Sequence, residues 1–293
     1  MSRLRHYRAL MRMDKPVGTW LLAWPTFWAL LVAGAGDPSI RIVAIFAAGV
    51  FLMRSAGCVI NDFADRNLDG LVSRTRERPL ATGKVTSAEA LLLFAGLVLL
   101  AFLLVLSLNW LTVGLSIIAL ALAAFYPFAK RFTHLPQLFL GAAFSMAIPM
   151  AFAAVEYRVP IIAWVLFAAN FVWTVAYDTE YAMADRPDDI QAGIKSSAIL
   201  FGRYDLLAVA GLQTLTVALL AVVGWMLSAA PYYWIALVIA TAMFVWQLWM
   251  ISGREPDQCM RAFRQNHYVG MIMALGFALH FWLPDVPWLG SLM

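Results

Sequence analysis

The sequence predicts an all-α polytopic membrane protein: about nine transmembrane helices around a central cavity, with the N-terminus cytoplasmic. Three observations carry that expectation. Hydrophobic residues make up 63% of the 293-residue chain, against roughly 45–50% in a soluble domain. Charged residues are only 13%, about half the soluble share, and the mean hydropathy is +0.78. Runs such as LLLFAGLVLLAFLLVL do not alternate, so the alternating strands of a membrane β-barrel are excluded.

A spanning helix needs ~20 mostly apolar residues. Nine segments qualify on that scale, at about 16–34, 40–61, 88–108, 109–128, 135–154, 160–183, 204–228, 231–251 and 266–283. The first follows basic residues and precedes Ala33-Gly34-Ala35, a pattern that resembles a signal-peptide cleavage site. It is longer than a usual signal core and the rest of the chain is itself polytopic, so it reads as an uncleaved first helix. The third and fourth segments are parted only by the polar point between Ser107 and Asn109. Trp24, Trp28, Trp110, Tyr232, Tyr233, Trp282 and Trp288 fall near proposed ends. They read as an interfacial aromatic belt, with a lipid-tail channel as the alternative for a few. Two cysteines, Cys58 and Cys259, make no disulfide framework. The whole chain, 1–293, reads as one transmembrane domain with two pseudo-halves, about 1–133 and 134–293.

Basic residues mark cytoplasmic loops. The N-terminal tail carries Arg3, Arg5, Arg8, Arg12 and Lys15. The second-to-third loop carries Arg66, Arg74, Arg76, Arg78 and Lys84. Lys130 and Arg131, then Arg186, Lys195 and Arg203, then Arg254, Arg261 and Arg264 follow at alternate loops. The opposite loops offer only Arg41 and Arg158. This bias places the N-terminus inside and the C-terminus outside. The net charge of +4 suits an anionic leaflet; with no soluble basic module, it does not point to nucleic acid.

Two acidic clusters fall at the cytoplasmic ends of the second and sixth segments. The first is Asn61, Asp62, Asp65 and Asp69. If the helix continues, 61, 65 and 69 form one stripe, because residues four apart are neighbours. The second, YDTEYAMADRPDD, holds Asp178, Glu180, Tyr181, Asp185, Asp188 and Asp189. Asp178, Tyr181 and Asp185 share a stripe, whereas Pro187 interrupts the relation of Asp185 to Asp189. Like carboxylates at such spacing repel unless a cation lies between them. Mg²⁺ takes oxygen ligands, often one or two carboxylates plus substrate phosphates, so two facing patches with Lys and Arg nearby make a diphosphate cage. The alternative is a solvated acidic loop. Tyr126 and Lys130 in YPFAKR, and Lys195 in GIKSSAILFG, read either as diphosphate ligands or as interfacial residues. Arg54 lies two turns before Asn61 at membrane depth. An arginine there is costly and functional by default, and it reads as a carboxylate receptor in the cavity, with a snorkelling interfacial arginine as the alternative.

These segments resemble the UbiA superfamily of intramembrane aromatic prenyltransferases. NDFADRNLDGLVSRTRERPL is similar to its first signature and YDTEYAMADRPDDIQAGIKSSAILFG to its second. YPFAKRFTHLPQ is similar to the Tyr-x-x-x-Lys element between them, and DKPVGTWLLAWPT to the start of its first helix. YDTEYAMADR most resembles the branch that prenylates 4-hydroxybenzoate in ubiquinone synthesis. The resemblance implies nine helices around a cavity capped by cytoplasmic loops, in a bacterial inner membrane. It implies Mg²⁺ held on a polyprenyl diphosphate by Asp65, Asp69, Asp185 and Asp189, with Asn61 and Asp62 in the same motif and Asp178 and Tyr181 beside the substrates. Lys130, Lys195 and Tyr126 match the diphosphate positions. Arg54 matches a position associated with the aromatic acid, with Arg131 and Arg66 as second choices.

The reaction so implied is electrophilic prenylation, with Asp62 or Asp65 to stabilise the cation or take the ring proton, water excluded and the RTRERPL segment as a lid. A secondary transporter is the rival from another class, but such proteins place charges at broken helices near the midplane. A phospholipid head-group transferase also uses membrane aspartates, and NLDGLVSRT echoes its pattern only in part.

Overall fold

The computed structural model describes residues 3–67, 69–71 and 75–283. Trp288, Arg74 and the C-terminal end lie outside the described residues. Among those residues there are helices and no strands. In chain order the helices are α1 (Arg3–Leu10), α2 (Val17–Ala33), α3 (Ile40–Asp65), α4 (Ser87–Val105), α5 (Trp110–Ala129), α6 (Pro136–Ser145) and α7 (Ala147–Glu156). They continue as α8 (Ile161–Ala192), α9 (Ser197–Phe201), α10 (Asp205–Met226), α11 (Pro231–Ile251) and α12 (Pro256–Trp282). Short 3-10 turns lie at Asp69–Leu71 and Gly202–Tyr204.

Local chemistry explains the breaks. Asn109 caps α5 by accepting from the Thr112 amide at 3.0 Å, which makes the polar point at 107–109 a true boundary. Thr86 and Glu89 form a reciprocal capping box at the start of α4. The fifth expected span is two helices in series, α6 and α7. Pro149 has no amide to donate to Ser145, and the helix is interrupted at Met146.

Among the described residues, seven segments are long and apolar enough to cross a membrane: α3, α4, α5, α6 with α7, α8, α9 with α10, and α11. The first and last of the nine expected spans fall short of the same measure. α2 is apolar but has 17 residues. α12 starts at Pro256, well before the expected 266, and its first half carries Arg261, Arg264, Gln265, Asn266 and His267. Of these, Asn266 is buried inside the bundle, whereas Arg261 and Arg264 are exposed.

α8 is the organising element; it packs on α10, α6 and α12. Its first half lies in the main core, where Trp28 stacks on Trp173 with ring centroids 5.4 Å apart. Gly270 sits beneath that pair, where a Cβ would meet both Trp24 and Trp173. The outer faces of α4, α5 and α11 stay apolar and open: Leu92 is 74% exposed and Val238 68%. In water such surface would be costly; against lipid it is not.

Candidate active site

A cavity of about 1010 Å³ opens among α2, α3, α4, α5, α6, α8 and α12. Both acidic clusters line it: Asn61, Asp62, Asp65 and Asp69 on one wall, and Asp178, Tyr181, Asp185 and Asp189 on the other. Arg54, Tyr126, Lys130 and Lys195 line it as well. Two expected residues do not. Arg66 donates to the Phe63 carbonyl at 2.7 Å and lies over the Phe63 ring, 4.4 Å from its centroid. Arg131 donates to the Ala64 carbonyl at 2.7 Å. Both are drawn to the last carbonyls of α3, which have no helical partner and attract cations.

The first wall is not one helical stripe. α3 ends at Asp65 and Asp69 follows in a 3-10 turn. Ion pairs hold the parts together. Arg12 donates to Asp62 Oδ1 at 2.8 Å. Arg78 Nη1 lies 3.0 Å from Asp62 Oδ1 and donates to Asp69 Oδ1 at 2.9 Å. Lys130 donates to Asp65 Oδ2. Thr75 fixes the turn by donating its hydroxyl to the Asp69 carbonyl at 2.9 Å. Asp62, Asp65 and Asp69 are 0%, 3% and 4% exposed, so each needs a neutralising partner. Asp62 Oδ2 and Asp65 Oδ1 nevertheless remain buried with no hydrogen-bond partner.

The second wall is one unbroken helix. α8 continues through Pro187 and ends at Gly193, whose φ of 67° is the left-handed stop that glycine favours. Asp178, Tyr181, Asp185 and Asp189 therefore fall on one face, including the step across Pro187. The opposite face of α8 is braced. Glu180, fully buried, accepts from Asn266 Nδ2 at 2.8 Å and from Gln213 Nε2 at 3.1 Å. Asn266 accepts from the Trp173 indole at 2.8 Å. Gln213 also donates to Gln247 at 3.2 Å. Lower down, Asp205 accepts from Arg186 and from Arg254 Nη2 at 2.8 Å. Lys195 lines the cavity and makes no ion pair among the described residues.

Sequence reasoning missed Arg12 and Arg78 as members of the site. In the sequence they read only as topology markers or as part of a lid, and nothing local distinguishes them from Arg8 or Arg76. The Glu180 network was also missed; a glutamate among aspartates in YDTEYAMADR looks like one more ligand until its face is known.

Among the described residues no three His, Cys, Asp or Glu side chains converge as a ready metal cage. The site still suits Mg²⁺. Its free donors are carboxylate oxygens, Asp62 Oδ2 and Asp65 Oδ1, and Mg²⁺ normally takes only one or two carboxylates and completes its shell with water and phosphate oxygens.

A family model described as the UbiA prenyltransferase family matches residues 22–282. The chain is 55% identical over 282 residues to 4-hydroxybenzoate octaprenyltransferase from Idiomarina loihiensis, covering 96% of this chain and 100% of that relative. Its structure is similar to that of a UbiA homolog from Aeropyrum pernix K1, with a TM-score of 0.78 and 25% identity, over 89% of this chain and 97% of the homolog. A UbiA homolog from Archaeoglobus fulgidus bound to GPP and Mg²⁺ shares the fold at a TM-score of 0.73 and 20% identity, over 94% and 99% of the two chains.

Proposed function

The chain belongs to the UbiA prenyltransferase family, and from that premise we propose its reaction. It transfers a polyprenyl group from polyprenyl diphosphate to the ring carbon ortho to the hydroxyl of 4-hydroxybenzoate, releasing diphosphate, in ubiquinone biosynthesis. One observation carries the reading: the two acidic clusters, far apart in sequence, line a single cavity with Lys130 and Arg78 among them.

Charge bookkeeping supports a metal-dependent diphosphate site. On the first wall the carboxylates of Asp62, Asp65 and Asp69 are met by Arg12, Arg78 and Lys130. That set is neutral overall, so an incoming diphosphate needs more positive charge. The residues that would hold Mg²⁺ are Asp65, Asp69 and Asn61 on one wall and Asp185 and Asp189 on the other. When bound, the ion would neutralise charge on the leaving diphosphate. Lys130 and Lys195, with Tyr126 beside them, would bind the remaining diphosphate oxygens.

The chain's own groups then account for the rest of the chemistry. The allylic C–O bond breaks and its electron pair leaves with the diphosphate. Carboxylates facing the cavity stabilise the allyl cation, an electrostatic effect that is often the largest catalytic term. The ring carbon ortho to the phenol oxygen attacks, forming the C–C bond. The ring proton passes to a carboxylate, for which Asp62 and Asp65 each keep an unpartnered oxygen. Arg54 holds the acceptor's carboxylate and so decides which carbon is presented. The apolar part of the wall, including Val98, Phe102 and Leu120, excludes water and receives the start of the polyprenyl tail, whose remainder lies in membrane lipid.

The same reading sets the protein in the bacterial inner membrane with nine spans, α2 and α12 included. The N-terminus and the mouth of the site are cytoplasmic, and each of the two halves supplies one acidic wall. The basic residues clustered at alternate loops support it. Membranes containing the protein, incubated with Mg²⁺, a polyprenyl diphosphate and 4-hydroxybenzoate, should yield the 3-prenylated acid. Chelation of Mg²⁺ should stop the reaction. Full turnover in chelator would remove the metal from the scheme, and absence of any prenylated acid would remove the acceptor.

A further inference from the structure

We propose that Gly18 is a specificity-determining residue: its bare backbone leaves the space in which the Arg54 guanidinium lies, and the Tyr177 hydroxyl completes with Arg54 a receptor for the carboxylate of the aromatic acceptor. This deepens the reading above and rests on its assignment of Arg54.

Gly18 lies in the first turn of α2, is buried, and lines the cavity. Its φ is not positive, so the backbone conformation does not require glycine there. A helical glycine costs roughly 0.5–1 kcal/mol relative to alanine, which leaves a close approach as the reason for it. Arg54 makes that approach: a Cβ at this position would fall under 3.0 Å from its Nη2, Nε and Cζ. Those atoms are the end of a flexible side chain, not backbone. A methyl group would therefore move the guanidinium and leave the helix pair in place.

The guanidinium is placed as a receptor. Nη1 is tethered one turn along α3 by donating to the Cys58 sulfur. Nε is buried with no hydrogen-bond partner. Arg54 forms no ion pair among the described residues, in a cavity whose walls carry two sets of carboxylates. The other arginines lining those walls near the acids, Arg12 and Arg78, are both paired. Across the cavity, Tyr177 is 2% exposed and lines the same space as Arg54; its Oη has the Thr174 side chain as a neighbour but makes no hydrogen bond of good geometry. An unpaired cation and an unpaired hydroxyl facing one space suit an anion with two acceptor oxygens. The diphosphate already has Lys130, Lys195 and the metal-binding acids, which leaves the aromatic carboxylate.

Steady-state kinetics of the purified full chain in detergent can decide this, with KM measured separately for each substrate. In Gly18→Ala, KM for 4-hydroxybenzoate should rise at least about tenfold, the size of one lost bond to a charged group. KM for the polyprenyl diphosphate should stay within about twofold. Turnover of an acceptor without a carboxylate, such as a simple phenol, should match wild type. Adding Gly18→Ala to Arg54→Ala should do nothing further, because the two changes remove one interaction. Tyr177→Phe, which deletes a single oxygen, should raise the same KM, and it carries the test if the glycine variant fails to fold. A folded Gly18→Ala with unchanged KM for 4-hydroxybenzoate, or a rise confined to the diphosphate, overturns the role of Gly18. An unchanged KM in Tyr177→Phe removes that hydroxyl from the receptor. If Arg54→Ala itself leaves KM for 4-hydroxybenzoate unchanged, the earlier assignment of Arg54 fails instead.

Discussion

The two acidic walls of the cavity are built by opposite methods. On the first, the chain leaves the helix: α3 stops at Asp65 and Asp69 sits in a separate turn. Its geometry depends on cations brought from elsewhere, Arg12 from before α2, Arg78 from the loop and Lys130 from the end of α5. On the second, the backbone never leaves the helix. Asp178, Asp185 and Asp189 ride on α8, and the stiffness comes from the opposite face, through Glu180 with its amides and Asp205 with its arginines. A wall assembled by ion pairs in front can rearrange when a multivalent ligand competes for those charges. A wall braced from behind cannot, and serves as the fixed side.

The sharpest way to break this contrast is to remove one acid from each wall. Asp65→Ala and Asp185→Ala should each lower product formation by at least ~100-fold, the usual scale for losing transition-state charge stabilisation. Turnover near wild type in both, measured as 3-prenylated acid, would sink the two-wall site. Arg78→Ala should come next. It strips one shared partner from Asp62 and Asp69, and breaking a buried pair costs about 3–5 kcal/mol. We expect a large fall in melting temperature together with a raised KM for the diphosphate. Arg78→Lys should recover little, because a point charge cannot bridge two carboxylates as a guanidinium does.

The brace on α8 should matter less to chemistry and more to stability. Glu180→Ala leaves the Asn266 and Gln213 amides short of an acceptor, which costs about 1–3 kcal/mol for each unsatisfied group. Glu180→Gln keeps an acceptor oxygen and should lose less. The order of the two melting temperatures checks the idea; a Glu180→Ala protein as stable as wild type would show that the brace carries no load. The smallest effect belongs to Pro187→Ala. Since α8 already runs unbroken through this position, alanine should leave activity within about twofold, and by restoring a helical amide donor it should raise the melting temperature slightly if it changes it at all. A tenfold loss would mean that the proline shapes the second wall after all.

Much of this molecule was legible before its fold was known. The apolar runs mark the helices, because a chain in lipid must satisfy its backbone internally and does so by coiling. The break at Asn109 follows from a cap that the sequence displays. The ends of α8 and α12 were not legible, since apolarity stops at the membrane face while a helix need not. α12 begins ahead of its apolar stretch, at Pro256, because its first turns pack Cys259 and Ala262 into a buried cluster with Ala182, Met183 and Ile251. Of the candidate site, the acids of both walls, Lys130, Lys195, Tyr126 and Arg54 were named from their motifs, and all line the cavity. Arg66 and Arg131 are second choices under the same resemblance, and the end of α3 claims them.

By itself, then, the sequence determined the apolar helices and the order of the two acidic motifs, which are local patterns read over a few turns. Tertiary structure alone decided which cations meet which acids, with Arg12 and Asp62 fifty residues apart and Lys130 and Asp65 sixty-five apart. It also decided that Glu180 turns away from the cavity its neighbours face, and that Arg54 rests against Gly18. Such pairings depend on how helices dock, and docking is fixed by packing across the whole bundle, not by the residues on either side in the chain.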